Sequence, residues 1–270
     1  SQSDLERLSL LRDVTRAGHN ISQMARLSND ELRALGVNAP GLQLSAPRLA
    51  AATPAPDALL DGCLTSVRSL DGRALDDTLQ RAATALGAQG VLHRLVAPLT
   101  QTLGDLWREG EITAAHEHFA TGRIRALLGN LAKPFGGGAG APALVVATPV
   151  VQLHELGALL VGALAANLGW HVTGLGASLP AAEIAGAARQ KRARAVALSL
   201  VYPEDDANLP GELTLLREAL PEDTTLLAGS RAMAAYRETL VRLGAILVAD
   251  LVQLGLALDR LRQPGRKVKR

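Results

Sequence analysis

The sequence predicts an α/β protein: a short helical segment, then a four-helix bundle, then a doubly wound parallel sheet of five strands with flavodoxin-like topology. Two observations carry this prediction. Between residues 57 and 131 the apolar residues recur at helical spacing, whereas from Ala143 onwards short apolar runs alternate with amphipathic segments. Such alternation is typical of βα units. Uninterrupted apolar runs indicate strands that are buried on both faces.

Composition restricts the class of protein. The 270 residues are 48% hydrophobic and 20% charged, a balance typical of one or two globular domains. Cys63 is the sole cysteine, so the sequence has neither a disulfide framework nor a thiolate metal site. No apolar run reaches the ~18 residues that a membrane span needs. We therefore expect a cytoplasmic protein without membrane contact, and the net charge of +2 is too small to indicate nucleic-acid binding by itself.

The two ends of the chain are predicted to lie outside the main domains. Residues 1–36 predict short helices, because a leucine repeat at helical spacing begins at Leu5 after the capping candidate Ser3. Residues 37–56 contain four prolines among Ala, Gly and Ser, which is typical of a linker. Residues 264–270 form a basic run and predict a solvated tail.

Residues 57–135 predict an antiparallel four-helix bundle, since the connections between their apolar repeats are short. Asp71 and Thr113 are placed to cap the second and fourth helices. Pro98 lies inside the third helix, where its ring and missing N–H should kink the backbone. The predicted helices are 57–69, 72–86, 88–108 and 112–131.

Residues 141–263 predict five βα units. The strands are 143–149, 171–176, 195–201, 224–229 and 245–249, and the helices are 155–169, 180–193, 209–219, 230–243 and 250–262. Right-handed crossovers would place the carboxyl ends of all five strands on one edge of the sheet, where ligands bind in such folds. The candidate residues on that edge are His154, Ser178, Ser199, Tyr202 and Gly229.

Several common activities are disfavoured because their motifs are missing. The first strand-to-helix turn lacks the GxGxxG pattern of a dinucleotide site, and no GxSxG marks a hydrolase nucleophile. The glycine-rich run at 135–142 has neither a preceding strand nor a following Lys-Ser/Thr, which excludes a phosphate loop. The strand ends also lack the clustered aspartates of a phosphoacceptor. A single histidine in the loop after the first strand is what remains.

That loop carries the strongest chemical signal. Its residues 152–157, QLHELG, resemble the cobalamin-binding signature DxHxxG, with His154 in the position of the histidine. Ser199 in the third strand matches the serine of that family, and Gly229, followed by Ser230, matches its glycine-rich turn. The order of bundle, histidine loop, serine and late glycine is also that of the family.

The resemblance implies a corrinoid whose nucleotide tail lies beside the sheet and whose cobalt takes His154 as its lower ligand. A neutral imidazole is a suitable ligand for cobalt. Gly157 and Gly229 would leave a slot for the tail, and Ser178 and Ser199 would hydrogen-bond its base. The remaining predicted cofactor contacts are Glu155, Tyr202 and Ser230.

The sequence departs from the signature at Gln152, where the family has an acidic residue that hydrogen-bonds the ligating histidine. An amide can still fix the tautomer of His154, but it adds no negative charge. We therefore expect weaker support of the metal ligand than a carboxylate gives.

A second motif lies in the bundle, where Trp107 is followed at W-x9-EH spacing by Glu117 and His118. It resembles the light-sensing cobalamin-dependent repressors of MerR type, the CarH and LitR group. The resemblance implies that Trp107 covers the adenosyl group of adenosylcobalamin, that Glu117 accepts hydrogen bonds from its ribose, and that His118 lines the same cavity.

Residues 4–35 independently resemble the carboxyl-terminal half of a MerR-type DNA-binding domain. The helix-turn-helix that would precede this half is absent, so we expect a fragment or a shortened relative that lacks the recognition helix. In some members of the group a histidine directly after the tryptophan captures cobalt after illumination. Here that residue is Arg108, which leaves His116, His118 or water for the role.

Taken together, these patterns predict a non-enzymatic photoreceptor that binds adenosylcobalamin and regulates transcription. We expect a homo-oligomer that contacts DNA through the missing N-terminal part. Light-driven cleavage of the Co–C bond would change its oligomeric state. Two alternatives stay open: a corrinoid carrier in a methyltransferase system, and a ligand-free dimerisation module.

Overall fold

The structure, a computed structural model, describes residues 28–29, 55–132, 138 and 140–262. The predictions for residues 1–36, for most of the linker and for the basic tail 264–270 fall outside this part of the chain. Within it, residues 55–132 form a helical bundle and residues 140–262 form an α/β domain.

The predicted four-helix bundle is confirmed. It consists of α1 (Pro56–Arg68), α2 (Gly72–Val91), a π-helical turn (Leu92–Val96), α3 (Ala97–Arg108) and α4 (Ala114–Ala132). Gly87 interrupts α2 with φ 70° and ψ 173°. Residues 88–108 therefore form the third helical segment of the bundle, as predicted. Asp71 caps α2 as predicted, because its Oδ1 accepts a hydrogen bond of 2.9 Å from the Ala74 N–H.

The irregularity expected at Pro98 takes the form of the π-helical turn that directly precedes it. Proline has no N–H to donate and its ring collides with the carbonyl four residues earlier, and the wider turn accommodates both effects. Cys63 is fully buried in the bundle core, and burial raises the pKa of its thiol to about 11. The thiol therefore stays protonated and serves packing.

The predicted doubly wound sheet is also confirmed: five parallel strands lie in the order β2-β1-β3-β4-β5. The strands are β1 (Ala143–Pro149), β2 (His171–Leu179), β3 (Ala195–Ser199), β4 (Thr225–Gly229) and β5 (Ile246–Val248). The helices are α5 (Leu156–Asn167), α6 (Ala181–Lys191), α7 (Leu209–Ala219), α8 (Arg237–Arg242) and α9 (Leu251–Arg262).

Two boundaries predicted from the sequence are wrong. The helix predicted at 230–243 is instead a 3-10 turn (Arg231–Ala234) followed by the short α8, because Ser230 has φ 81° and the Ala232 N–H donates to the Leu200 carbonyl. Strand β2 continues to Leu179 through irregular pairing with β1, so Ser178 lies within a strand.

Helix α5 joins the two parts of this fold. Its sequence, LGALLVGALAAN, is apolar on all sides, which is typical of a helix that is enclosed by protein. One continuous core contains buried side chains from the bundle, from α5 and from the facing side of the sheet. Helices α6 and α7 cover the other side with a second core. Among the helices described, none combines the length and hydropathy that a membrane span requires.

Candidate cofactor-binding site

Three predicted site residues from three separate segments meet at the carboxyl edge of the sheet. Trp107 comes from the last turn of α3, His154 from the loop after β1, and Tyr202 from the loop after β3. The ring centroid of Trp107 lies 5.9 Å from that of His154 and 6.3 Å from that of Tyr202, and the last two are 6.2 Å apart. The rings are tilted or edge-on to one another, the arrangement that aromatic side chains prefer.

The imidazole of His154 makes only ring contacts among the residues that the structure describes. Neither ring nitrogen has a hydrogen-bond partner there, and the residue is partly buried. An imidazole in this condition has both nitrogens available, one for a metal ion and one for an acceptor.

Gln152 behaves differently from the prediction that its amide supports His154. The side chain is 1% exposed, and its Nε2 donates to the Pro203 carbonyl at 2.9 Å. Its Oε1 accepts from the N–H groups of Val201 (2.7 Å) and Tyr202 (3.0 Å). The amide is therefore committed to the loop after β3, and what it fixes is the position of that loop relative to the loop of His154.

Ser178, a predicted contact of the buried base, also makes hydrogen bonds within the protein. Its Oγ accepts from the Val151 N–H at 3.1 Å, and its own N–H donates to Thr148 Oγ1 at 2.8 Å. The Thr148 hydroxyl in turn donates to the Gln152 carbonyl. Ser178 thus supports the loop that carries His154.

A cleft of about 870 Å³ lies between α3, the start of α5 and the carboxyl ends of β3, β4 and β5. Its lining includes Asp105, Gly157 and Val201, which are close in sequence to Trp107, His154 and Tyr202. It contains four of the predicted residues, namely Gly157, Ser199, Gly229 and Ser230. Its other walls are mainly apolar, including Leu160, Val161, Leu227, Met233 and Leu254. A mostly apolar cleft with a few polar groups is the usual form of a small-molecule site.

The two predicted glycines of the cleft have close neighbours. A Cβ atom on Gly157 would collide with Ser199 Oγ and lie 3.0 Å from Ser230 Oγ. A Cβ atom on Gly229 would lie 3.0 Å from both the carbonyl oxygen and Cγ2 of Val248. The absence of side chains at these positions therefore preserves the cleft and the two serine hydroxyls beside it.

Two ion pairs connect the bundle to the α/β domain around the site. Asp105 of α3 pairs with Arg231 at 2.5 Å and also with Arg108, so the arginine next to Trp107 already has a carboxylate partner. Arg125 of α4 pairs at 2.5 Å with Glu155, a predicted cofactor contact. The arginines are 36–55% exposed, so water screens both pairs and each contributes little to stability.

The residues of α4 that were predicted to lie near the adenosyl group, Glu117 and His118, contact one another. Glu117 Oε2 lies 2.7 Å from His118 Nδ1, and Glu117 Oε1 accepts from Thr121 at 2.7 Å. The His118 side chain is 78% exposed, whereas that of Glu117 is 17% exposed. His116 Nδ1 lies 2.8 Å from the Thr113 hydroxyl at the start of α4. Within the described residues, no hydrogen bond or ring contact links this group to Trp107 or His154.

Sequence reasoning missed Tyr236, which also supports the site. Its hydroxyl accepts from the Asp206 N–H at 2.8 Å and donates to the Pro203 carbonyl at 3.4 Å, so it fixes the loop that presents Tyr202. Burial raises the pKa of Tyr236, which keeps the hydroxyl protonated as a donor. The only sequence signal was its rarity, since the chain has two tyrosines.

A larger cleft of about 1170 Å³ lies along β2 and α5, and Glu155 is the only predicted site residue that lines it. The smaller cleft contains four of the predicted site residues and the larger one contains a single predicted residue. No group of three or more His, Cys, Asp or Glu side chains converges as a metal site anywhere in the described part of the chain. A metal held by His154 would need its other ligands from outside the protein, as a corrin ring provides.

Comparison with known proteins agrees with this geometry. Two family models, each described as a B12 binding domain, match residues 59–132 and residues 142–253. The first range covers the bundle, and the second covers the α/β domain from β1 to the start of α9.

Two curated relatives and one solved structure are similar to the chain. The HTH-type transcriptional repressor CarH of Myxococcus xanthus is 27% identical over 240 residues, which are 89% of this chain and 79% of that repressor. The HTH-type transcriptional repressor CarA of the same organism is 29% identical over 70% of this chain and 64% of its own length, less than two thirds. The structure of the monomethylamine corrinoid protein of Methanosarcina barkeri is 15% identical in sequence, and the match covers 76% of this chain and 100% of the corrinoid protein. Its TM-score of 0.60 shows a shared fold.

Replacing Gln152 tests its role as the link between the two loops. Gln152→Ala should lower the free energy of unfolding by about 3 kcal/mol, because it removes the hydrogen bonds that this side chain makes to two partly buried N–H groups and one carbonyl. Gln152→Glu should cost less, since a carboxylate still accepts from both N–H groups. Urea unfolding measures the effect, with the exposed Gln80→Ala as control. A loss for Gln152→Ala no larger than for Gln80→Ala would contradict the assignment.

Replacing Gly157 tests the packing of the cleft. Gly157→Ala should destabilise the fold by about 1–3 kcal/mol, because the new methyl group meets the Ser199 hydroxyl. Adding Ser199→Ala should recover part of this loss, which a double-mutant cycle detects. Gly186→Ala in α6 is the control: nothing lies within 4 Å of its Cβ position, so the helix should be unchanged or more stable.

Proposed function

We propose that this chain, a homologue of the CarH and CarA transcriptional repressors that spans their B12-binding part, is a light-responsive regulator that binds adenosylcobalamin. The observation that carries the proposal is the ring contact between Trp107 and His154, together with an apolar cleft that contains Gly157, Ser199 and Gly229 and is lined by residues near both in sequence. The proposed role is that of a regulator and not of an enzyme.

The side chains at this site suit a corrinoid. His154 would offer an imidazole nitrogen to cobalt, and the glycine-lined cleft with its two hydroxyls would hold the nucleotide tail. Trp107 would cover the opposite face with its indole, and Glu117 would accept hydrogen bonds from the sugar of the upper group. When bound, the adenosyl form of the cofactor supplies a Co–C bond that visible light cleaves.

The contact between Trp107 and His154 supports a switch. Their centroids are 5.9 Å apart, which is direct ring contact, so a flat macrocycle between them requires α3 to move away from the loop of His154. The ion pairs Asp105–Arg231 and Arg125–Glu155 that oppose this movement are partly exposed and weak. The position of the bundle would therefore depend on what lies over His154, which is the differential contact that a ligand-driven switch needs.

Regulation of transcription is supported by the similarity to two helix-turn-helix repressors and by the MerR-like pattern of residues 4–35. These residues lie outside the described structure, except Ser28 and Asn29. We propose that DNA is bound through an N-terminal domain of the MerR type, that the protein acts in the cytoplasm, and that light changes the state of a homo-oligomer. The histidines available on this side of the cofactor would be His116 and His118, each with a local partner at Nδ1, Thr113 and Glu117 respectively, whereas Arg108 pairs with Asp105.

Removal of His154 tests the lower ligand. His154→Ala should shift the visible absorption of the bound cofactor and weaken binding by roughly tenfold or more, because loss of even an outer partner of a metal ligand costs about that much. His171→Ala, an exposed histidine at the start of β2, is the matched control and should leave both unchanged. Identical spectra for the native chain and His154→Ala would refute ligation by this residue.

Illumination tests the switch. The chain loaded with adenosylcobalamin in the dark should change both its visible spectrum and its size-exclusion profile after light, whereas Trp107→Ala should lose the shift in profile. Methylcobalamin serves as the second arm of the experiment. Equal or tighter binding of methylcobalamin, with an elution profile that ignores light, would favour a corrinoid carrier of methyl groups. No uptake of either cofactor would favour a ligand-free module.

A further inference from the structure

Ser230 has an unusual backbone conformation for a residue with a side chain. Its φ is 81° and its ψ is −179°, a combination that is adopted almost only by glycine. It directly follows Gly229 and begins the 3-10 turn that replaces the predicted helix. Glycine would adopt this conformation without strain. The contacts of the serine hydroxyl can explain why a residue with a side chain lies here.

The hydroxyl of Ser230 lies 3.0 Å from that of Ser199, and both residues line the cleft beside Gly157. Ser199 is 2% exposed at the end of β3, whereas Ser230 is exposed on the open side. One hydroxyl donates to the other, which leaves the pair with one free O–H donor next to free lone pairs. The pair therefore offers a donor and an acceptor side by side.

Resting on the proposed function, we propose that this hydroxyl pair selects the base at the end of the corrinoid tail, and that it favours a purine with an exocyclic amino group over a benzimidazole. Adenine presents a ring-nitrogen acceptor next to an amino donor, which matches an adjacent donor and acceptor. Dimethylbenzimidazole has a ring-nitrogen acceptor and no such donor, so Ser199 alone would satisfy it. The apolar walls, including Leu227, Met233 and Leu254, accept either flat ring.

The test compares two cofactors that differ only in the tail base, adenosylcobalamin and its adenine-tailed analogue, titrated in the dark and followed by visible absorption. The native chain should bind the adenine-tailed form more tightly by roughly three- to tenfold in Kd, the value of one net hydrogen bond. Ser230→Gly and Ser230→Ala should both abolish this preference, because both remove the hydroxyl.

The two variants also distinguish the effect of the lost hydroxyl on binding from the effect of the strained backbone on stability. Ser230→Gly should raise Tm relative to Ser230→Ala, because glycine adopts φ 81° without strain. Ser69→Ala, at the end of α1, is the control and should keep the native preference. Equal affinity of the native chain for both cofactors, or an unchanged preference in Ser230→Gly, would overturn the inference while leaving cofactor binding intact. Failure of the native chain to bind either cofactor would overturn both this inference and the proposed function.

Discussion

The site depends on the buried amide of Gln152. Three hydrogen bonds from one side chain join the loop after β1 to the loop after β3, and these are the loops that carry His154 and Tyr202. Buried polar groups are costly unless they are paired, so an amide that uses three of its four hydrogen-bonding positions holds its partners in one arrangement. Thr148 and Ser178 extend the same network on one side, and Tyr236 extends it on the other.

The bundle and the α/β domain are held together by two kinds of contact, a shared hydrophobic core and the contacts at the site. They share one hydrophobic core through α5, which contributes a large and non-directional stabilisation, and some of its members, such as Leu160 and Leu254, also line the cleft. At the cleft they meet through aromatic rings and through ion pairs that water screens, such as Asp105–Arg231. The ion pairs and ring contacts around Trp107 and His154 are therefore a weaker part of the boundary between the bundle and the α/β domain than the shared core is.

Part of the site was predictable because residues were matched by spacing to a known binding signature. His154, Gly157, Ser199 and Gly229 lie where a doubly wound sheet must place the ends of its strands. The roles of Gln152 and Ser178 could not be predicted in this way. Their hydrogen-bond partners are groups far along the chain, and local spacing carries no information about them.

The sequence by itself determined the bundle, the five strands and the parallel order of the sheet, because helical spacing, apolar runs and right-handed crossovers are local rules. It also marked Asp71, where a capping side chain decides the start of a helix. Only the tertiary structure decided that Trp107, His154 and Tyr202 touch, and that Ser230 pairs with Ser199. Those contacts join segments many residues apart, and their geometry follows from the packing of whole elements.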